Sequence, residues 1–308
     1  MGYMECTKPF LSVYGHVTID QIISIGKFPA INESVDILNK KTTLGGTGTN
    51  IAVAAARLGT PTALCAFIGK DFPSKYEEEI RDSGVMIDEL IKIDEHETSQ
   101  ALVINDSALE QKVLFYQGPQ GSASKFGIML SDFAKRSSYV HFCTGEPEYY
   151  IDVMKEIPAD GPKVSVDPAQ EVYKMWDGDN LRRALVRADD LFCNLYESRV
   201  IERYLGVNDV MDLDVDLIVR TEGAEGSTAK INGERIRIPV VKGNAFVDAT
   251  GAGDTYRAGF YTGLYNGYDI RDSLVLASAT SSFAVEKTGA LTNIPSWEAV
   301  VKRAREYL

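Results

Sequence analysis

The 308-residue chain carries 44 acidic against 32 basic side chains, a net charge of −12, and 44% of its residues are hydrophobic. A chain of this size and composition can bury an adequate core without disulfides or a structural metal, which excludes disordered and fibrous architectures. No basic run exceeds pairs such as Lys40-Lys41 and Arg182-Arg183, which excludes wrapping nucleic acid or resting on anionic lipid, so an anionic ligand needs locally placed donors.

Residues 1–10 contain Glu5 and Lys8 and no apolar signal core, and no stretch approaches the roughly 18 uninterrupted apolar residues of a membrane span. From Phe10 onward, short apolar β-branched runs alternate with longer segments of helical period. That rhythm predicts an α/β protein with a doubly wound, mostly parallel sheet flanked by helices, read here as one domain over 1–308. Central strands are expected at 11–14, 63–68, 139–143, 164–166, 191–193 and 217–221. Helices are expected at 49–58, closed by Gly59, at 74–83, closed by Gly84, and at 179–188, 195–205, 254–266, 269–287 and 296–307. Two inserted segments, 18–44 and 98–117, instead alternate polar and apolar residues with period two (Val35, Ile37; Val113, Phe115). They predict strands wet on one face, forming a small β-sheet lid contributed by two distant parts of the chain. The four cysteines, Cys6, Cys65, Cys143 and Cys193, match neither a metal knuckle nor a disulfide framework, and a reducing cytoplasm is expected.

Four motifs bear chemistry, each with a structural alternative. The first is Asp248-Ala-Thr-Gly-Ala-Gly-Asp254, expected to run from a short strand at 245–247 into a helix beginning near Asp254. Gly251, Ala252 and Gly253 would present backbone N–H groups to an anion, with the Asp254 carboxylate at the lip, an arrangement suited to phosphoryl transfer. The alternative is a tight turn with Asp254 as helix N-cap. The second, Leu44-Gly-Gly-Thr-Gly-Thr-Asn50, lets a ligand approach Gly45 and Gly46 and meet the Asn50 amide, or is a flexible turn with Thr49 as N-cap. Asn194-Leu-Tyr-Glu197 is either a capping box or a carboxylate that holds Mg²⁺ through water. Thr221-Glu-Gly223-Ala-Glu-Gly226 either seats a nucleotide or joins two strands. Walker-type and Rossmann-type glycine loops are absent, and His16, His96 and His141 supply no triad.

Taken in this order along the chain, the motifs resemble those of the ribokinase or pfkB-type family of ATP-dependent carbohydrate and nucleoside kinases, from Gly15 to Trp297. The resemblance implies a ribokinase-like fold, ATP and Mg²⁺ as cofactors, and Asp254 as catalytic base beside the Gly251, Ala252 and Gly253 anion hole. Asp20, ending Gly15-His-Val-Thr-Ile-Asp20, stands where the family grips sugar hydroxyls; Gly45, Gly46 and Asn50 would line the same ring. The same resemblance implies Asp167 and Gln170 at the substrate, with Asp167 also near Mg²⁺. It places Asn194, Thr221, Gly223 and Gly226 at ATP, and Arg257 at phosphate, although an arginine there commonly lies on a solvated face. Glu197 would hold Mg²⁺ through water, and Asp248 is a candidate ligand for a monovalent cation such as K⁺. Ribokinases usually have Asn two residues before the counterpart of Asp20 and Lys in the first glycine signature, where this chain has Thr18 and Thr47. Thr144-Gly-Glu-Pro-Glu148, Asp167-Pro-Ala-Gln170, Gly253-Asp-Thr-Tyr-Arg-Ala-Gly-Phe260 and Thr292-Asn-Ile-Pro-Ser-Trp297 look like the archaeal-type nucleoside kinase branch. The expected acceptor is therefore the 5′-hydroxyl of a ribonucleoside. A sugar kinase and an inactive binding protein are the alternatives. A homodimer through the lid is expected, and neither nucleic acid nor membrane as partner.

Overall fold

Successive side chains of a strand point to opposite faces of its sheet, and here both faces are covered, so the central strands are apolar at nearly every position. The computed structural model describes residues 8–108 and 110–308; Glu5 and Cys6 lie outside the described residues. The elements in chain order are β1 (Leu11–Tyr14), β2 (Thr18–Ile25), β3 (Ile37–Gly45), α1 (Thr47–Arg57), β4 (Thr62–Gly69), α2 (Ser74–Asp82), β5 (Leu90–Ile93), β6 (Ser99–Asn105) and β7 (Gln111–Tyr116). Then come α3 (Asp132–Arg136), β8 (Tyr139–Phe142), α4 (Pro147–Glu156), β9 (Lys163–Val166), α5 (Gly178–Leu185), β10 (Asp190–Asn194), α6 (Leu195–Leu205) and β11 (Leu217–Thr221). The hairpin β12 (Ser227–Ile231) and β13 (Glu234–Ile238) leads to α7 (Ala252–Tyr265), α8 (Ile270–Ala284) and α9 (Trp297–Ala304).

The large sheet has the order β13-β12-β11-β10-β9-β8-β1-β4-β5. It is parallel from β5 through β11 and antiparallel over the edge hairpin. In β4, Leu64 and Ala66 enter the core shared with α1, α2, α7, α8 and α9. Ala63, Cys65 and Phe67 enter the opposite core, under α3, α4, α5 and α6. Burying a side chain the size of Phe67, fully enclosed here, is worth about 2–3 kcal/mol. The chain leaves β1 for β4 and β5 on one side and returns to β8 on the other, so the strand order reverses at β1. Doubly wound sheets bind ligands outside the carboxyl ends of their strands at such a point.

The two period-two segments form a separate four-stranded sheet, β3-β2-β6-β7, in which β2 and β6 are parallel and both outer pairs antiparallel. Ile19, Ile23 and Ile25 are its buried hydrophobic residues on β2, while Leu38 and Leu114 on the outer strands are exposed.

Three local expectations are corrected. Residues 245–247 form no strand: the backbone N–H groups of Val247 and Asp248 donate to Val285 O after α8, and Phe246 and Val247 are exposed. With both N–H groups bonded to one carbonyl at the end of α8, the segment does not join the β13 edge. Helix α1 begins at Thr47 rather than Thr49, and α7 begins at Ala252 rather than Asp254. The hairpin β12/β13, absent from the sequence reading, turns at Asn232-Gly233, both at positive φ, a dipeptide that is itself a hairpin signal.

Candidate active site

The carboxyl ends of the central strands converge. Gly15 and His16 follow β1, Asp167 follows β9, Asn194 ends β10 and Thr221 ends β11 beside it, paired in register. Facing them is the amino end of α7. Gly251 is its N-cap at φ +75°, and a Cβ there would lie 2.3 Å from the Ala290 side chain, so both backbone and space require glycine. The N–H of Ala252 bonds back to Ala249 O at 3.1 Å, so that donor is shared with the turn. Asp254 stands inside the first turn and makes no capping bond, which removes the N-cap explanation of this residue. Its Oδ2 accepts a 2.7 Å hydrogen bond from Asn50 Nδ2, across 204 residues of sequence. Burial pushes its carboxyl up to about 6, against the opposing effects of the Asn50 bond and the Arg257 charge.

Asn50 reaches Asp254 because α1 starts against β1. Gly46, at φ +98°, is the N-cap of α1. The N–H of Gly48 donates to His16 O at 3.1 Å, and a Cβ on Gly48 would meet Gly15 backbone at 2.7 Å. Thr49 therefore lies within the helix and is not its cap. Gly45 closes β3 directly over Asp20: a Cβ there would lie 2.1 Å from Asp20 Oδ2. Thr18 Oγ1 donates to Asp20 Oδ1 at 2.5 Å, and burial outweighs that bond and raises the Asp20 carboxyl. Asp20, Gly45, Gly46, Asn50 and Asp254 thus form one wall, with Thr18 a member that the motif search did not select.

Asn194 and Glu197 make both halves of a capping box: Asn194 Oδ1 accepts from the N–H groups of Tyr196 and Glu197, and Glu197 Oε2 accepts from Asn194 N–H at 2.7 Å. Burial, then the neighbouring Asp167 charge, pushes Glu197 up to about 7. Among the described residues no three His, Cys, Asp or Glu side chains close on a metal ion. The donor set therefore fits Mg²⁺ only as an ion that keeps most of its waters, which is its usual habit. Asp248 Oδ1 accepts from the N–H and hydroxyl of Thr250, and its Oδ2 from the N–H of Gly289. It staples two loops together.

Arg257 departs from expectation. It is 5% exposed, its Nε donates to Asp167 Oδ2 at 2.8 Å and its Nη1 to Gly253 O at 3.2 Å. The guanidinium is therefore buried against the first turn of α7 and does not lie on a solvated face. Asp167, 1% exposed, is its partner and is buried as well. Gln170, on the 3-10 turn Ala169–Tyr173, is exposed at the rim. The Thr221 to Gly226 segment joins β11 to β12, with Gly223 and Gly226 at positive φ and a Cβ on Gly226 excluded by Ile238 O at 2.3 Å. Contacts absent from the sequence reading link the small sheet to the core: Phe115 meets the His16 ring edge-on, Lys174 lies over Phe115, and Gln117 Nε2 donates to Glu171 at 3.0 Å. These residues are far apart in sequence, and no motif announces them.

Comparison with known proteins agrees with this geometry. The family model described as pfkB family carbohydrate kinase matches residues 8–297. A nucleoside kinase of Methanocaldococcus jannaschii is 31% identical over 300 residues, covering 96% of this chain and 97% of that protein. One of Methanothermobacter thermautotrophicus is 34% identical over 296 residues, covering 95% and 94%. The crystal structure of the M. jannaschii nucleoside kinase superposes with a TM-score of 0.89 over 97% of this chain and 99% of that one.

Proposed function

The chain belongs to the pfkB family of carbohydrate kinases, and from that premise we propose that it transfers the γ-phosphoryl group of ATP to the 5′-hydroxyl of a ribonucleoside. The observation that carries the proposal is the Asn50 to Asp254 hydrogen bond at the glycine-built amino end of α7. It joins the two signature motifs into one site with a base and an anion hole. The nucleoside acceptor is supported by full-length relatives that are nucleoside kinases.

In this mechanism Asp20 accepts both vicinal hydroxyls of the ribose, backed by Gly45, while Gly46 and Asn50 line the ring and Gln170 stands at the rim. The 5′-oxygen gives its proton to Asp254 as it bonds to the γ-phosphorus; the bond from that phosphorus to the bridging oxygen breaks, and ADP leaves. N–H groups at Gly251 and Gly253, with Ala252 already partly engaged, meet the charge on the transferring group, each such donor being worth about 3 kcal/mol. Mg²⁺ would neutralise the triphosphate, and Glu197 would hold it through water. Asn194, Thr221, Gly223 and Gly226 form the surface offered to the nucleotide. The small sheet acts as a lid that excludes water, which otherwise competes as acceptor. A second copy of the chain would cover the exposed Leu38 and Leu114 of its outer strands; a monomer mass by light scattering would remove that assignment. The buried free thiols of Cys65, Cys143 and Cys193 suit a reducing cytoplasm. The test is product identity. Incubation with ATP, Mg²⁺ and inosine should give the 5′-monophosphate by phosphorus NMR, whereas ADP and inorganic phosphate alone would refute acceptor phosphorylation.

A further inference from the structure

Behind Asp254 the core holds several buried polar side chains. Arg257, one helical turn beyond Asp254, bonds to Asp167 Oδ2 and lies over the Phe192 ring at 5.6 Å. His141 Nε2 is 3.4 Å from the same Asp167 oxygen, and its Nδ1 is 2.9 Å from the Tyr261 hydroxyl. That hydroxyl donates to Ser165 Oγ at 2.8 Å, and Ser165 donates to Asp190 Oδ2 at 2.7 Å. Asp190 opens β10, at the end of the sheet opposite the site. Arg257, Asp167, His141, Tyr261 and Ser165 are all buried.

Three carboxylates, those of Asp167, Glu197 and Asp254, act electrostatically on the single guanidinium of Arg257. Burial holds the His141 imidazole neutral, so it adds no positive charge. A triphosphate brought to this corner adds further negative charge. A buried cation there offsets the mutual repulsion of the acids, and its bond to Gly253 O ties that cation to the turn whose N–H groups would meet phosphate.

We propose that Arg257 is a positioning residue for phosphoryl transfer, acting on Asp254 and on the first turn of α7 without touching phosphate, and held in place by Asp167. The inference rests on Asp254 being the base. A side chain kept free for phosphate would not have its Nε and Nη1 already engaged by Asp167 and Gly253. An ion pair kept only for folding would have no need to bond the turn ahead of the base.

The test compares Arg257→Gln, the pair Arg257→Gln with Asp167→Asn, and Arg257→Lys, using whichever acceptor the wild type phosphorylates, so a wrong nucleoside assignment leaves the comparison intact. Arg257→Gln strands the Asp167 charge in the core and should lower Tm. The double variant removes both charges and should recover most of that Tm. Its kcat should remain about 10- to 100-fold down, a loss of the size seen when groups that orient metal ligands are removed, with KM for ATP within about two-fold of wild type. Recovery of kcat together with Tm would make the pair purely structural and overturn the proposal, as would a ten-fold or greater rise in KM for ATP with kcat retained. Should the double variant fail to fold, Arg257→Lys decides: it keeps the cation and should turn over faster than Arg257→Gln. Equal rates overturn the proposal.

Discussion

At the scale of single residues the account rests on Asp254. Asp254→Asn preserves the acceptor oxygen for Asn50 and the shape of the turn, so kcat should fall about 10² to 10⁴-fold with folding intact; near-normal turnover in that variant would remove Asp254 from the mechanism. The carboxyl, pushed up to about 6, must be ionised to accept the hydroxyl proton. For wild type, kcat/KM for the acceptor should therefore climb as pH rises through about 6 and level off above it. Stability runs the other way. The folded protein holds this proton more tightly than the unfolded chain, so the group's contribution is full below the ordinary aspartate range and lost as pH rises through about 6. Asp254→Asn, which cannot ionise, should then melt above wild type at pH 7.5, and a lower Tm would contradict the assigned burial. Glu197→Gln can still serve the capping box, so Tm should scarcely move while the Mg²⁺ concentration for half-maximal rate rises; an unchanged titration would leave capping as its only supported role. The capping box itself was legible in the sequence because it spans four residues. The burial of Arg257 was not, since the face that α7 turns inward depends on β8, β9 and β10.

At the scale of elements, the site depends on how closely α1 approaches β1. Gly48→Ala would place a Cβ 2.7 Å from Gly15 backbone, which has no flexible end to move aside. The helix must shift, carrying Asn50 away from Asp254, so the variant should lose about 1–3 kcal/mol and at least about ten-fold in kcat. Gly59→Ala is the contrast: at φ +98° with open space around it, it should lose about 1–2 kcal/mol of backbone strain energy with kcat unchanged. Equal effects on kcat would mean that Gly48 matters only for stability. Helix periods and closing glycines were readable from sequence because each is local. The triplet Ala245 to Val247 reads as a strand but forms none, because apolar character alone does not say whether its backbone groups meet a strand edge or, as here, the Val285 carbonyl. The pairing of β2 with β6, and the Asn50 to Asp254 bond across 204 residues, follow from topology that no spacing displays.

For the whole molecule, the order of motifs announced the family, and the strand-order reversal at β1 explains why residues so far apart share one cleft. The contacts that join the small sheet to the core, among His16, Phe115, Gln117, Glu171 and Lys174, lie between distant segments, and linear reading could not build them. The wall of Asp20 and Gly45 predicts dependence on the ribose diol: removing one hydroxyl leaves a largely buried carboxylate partly unpaired, a loss of about 1–3 kcal/mol. A base adds apolar and stacking area that a bare sugar cannot supply. The most direct measurement is kcat/KM for inosine, adenosine, cytidine, 2′-deoxyadenosine, ribose and fructose under one set of conditions. The account predicts that ribonucleosides lead, with 2′-deoxyadenosine at least about ten-fold below adenosine; ribose or fructose as the best acceptor would contradict it.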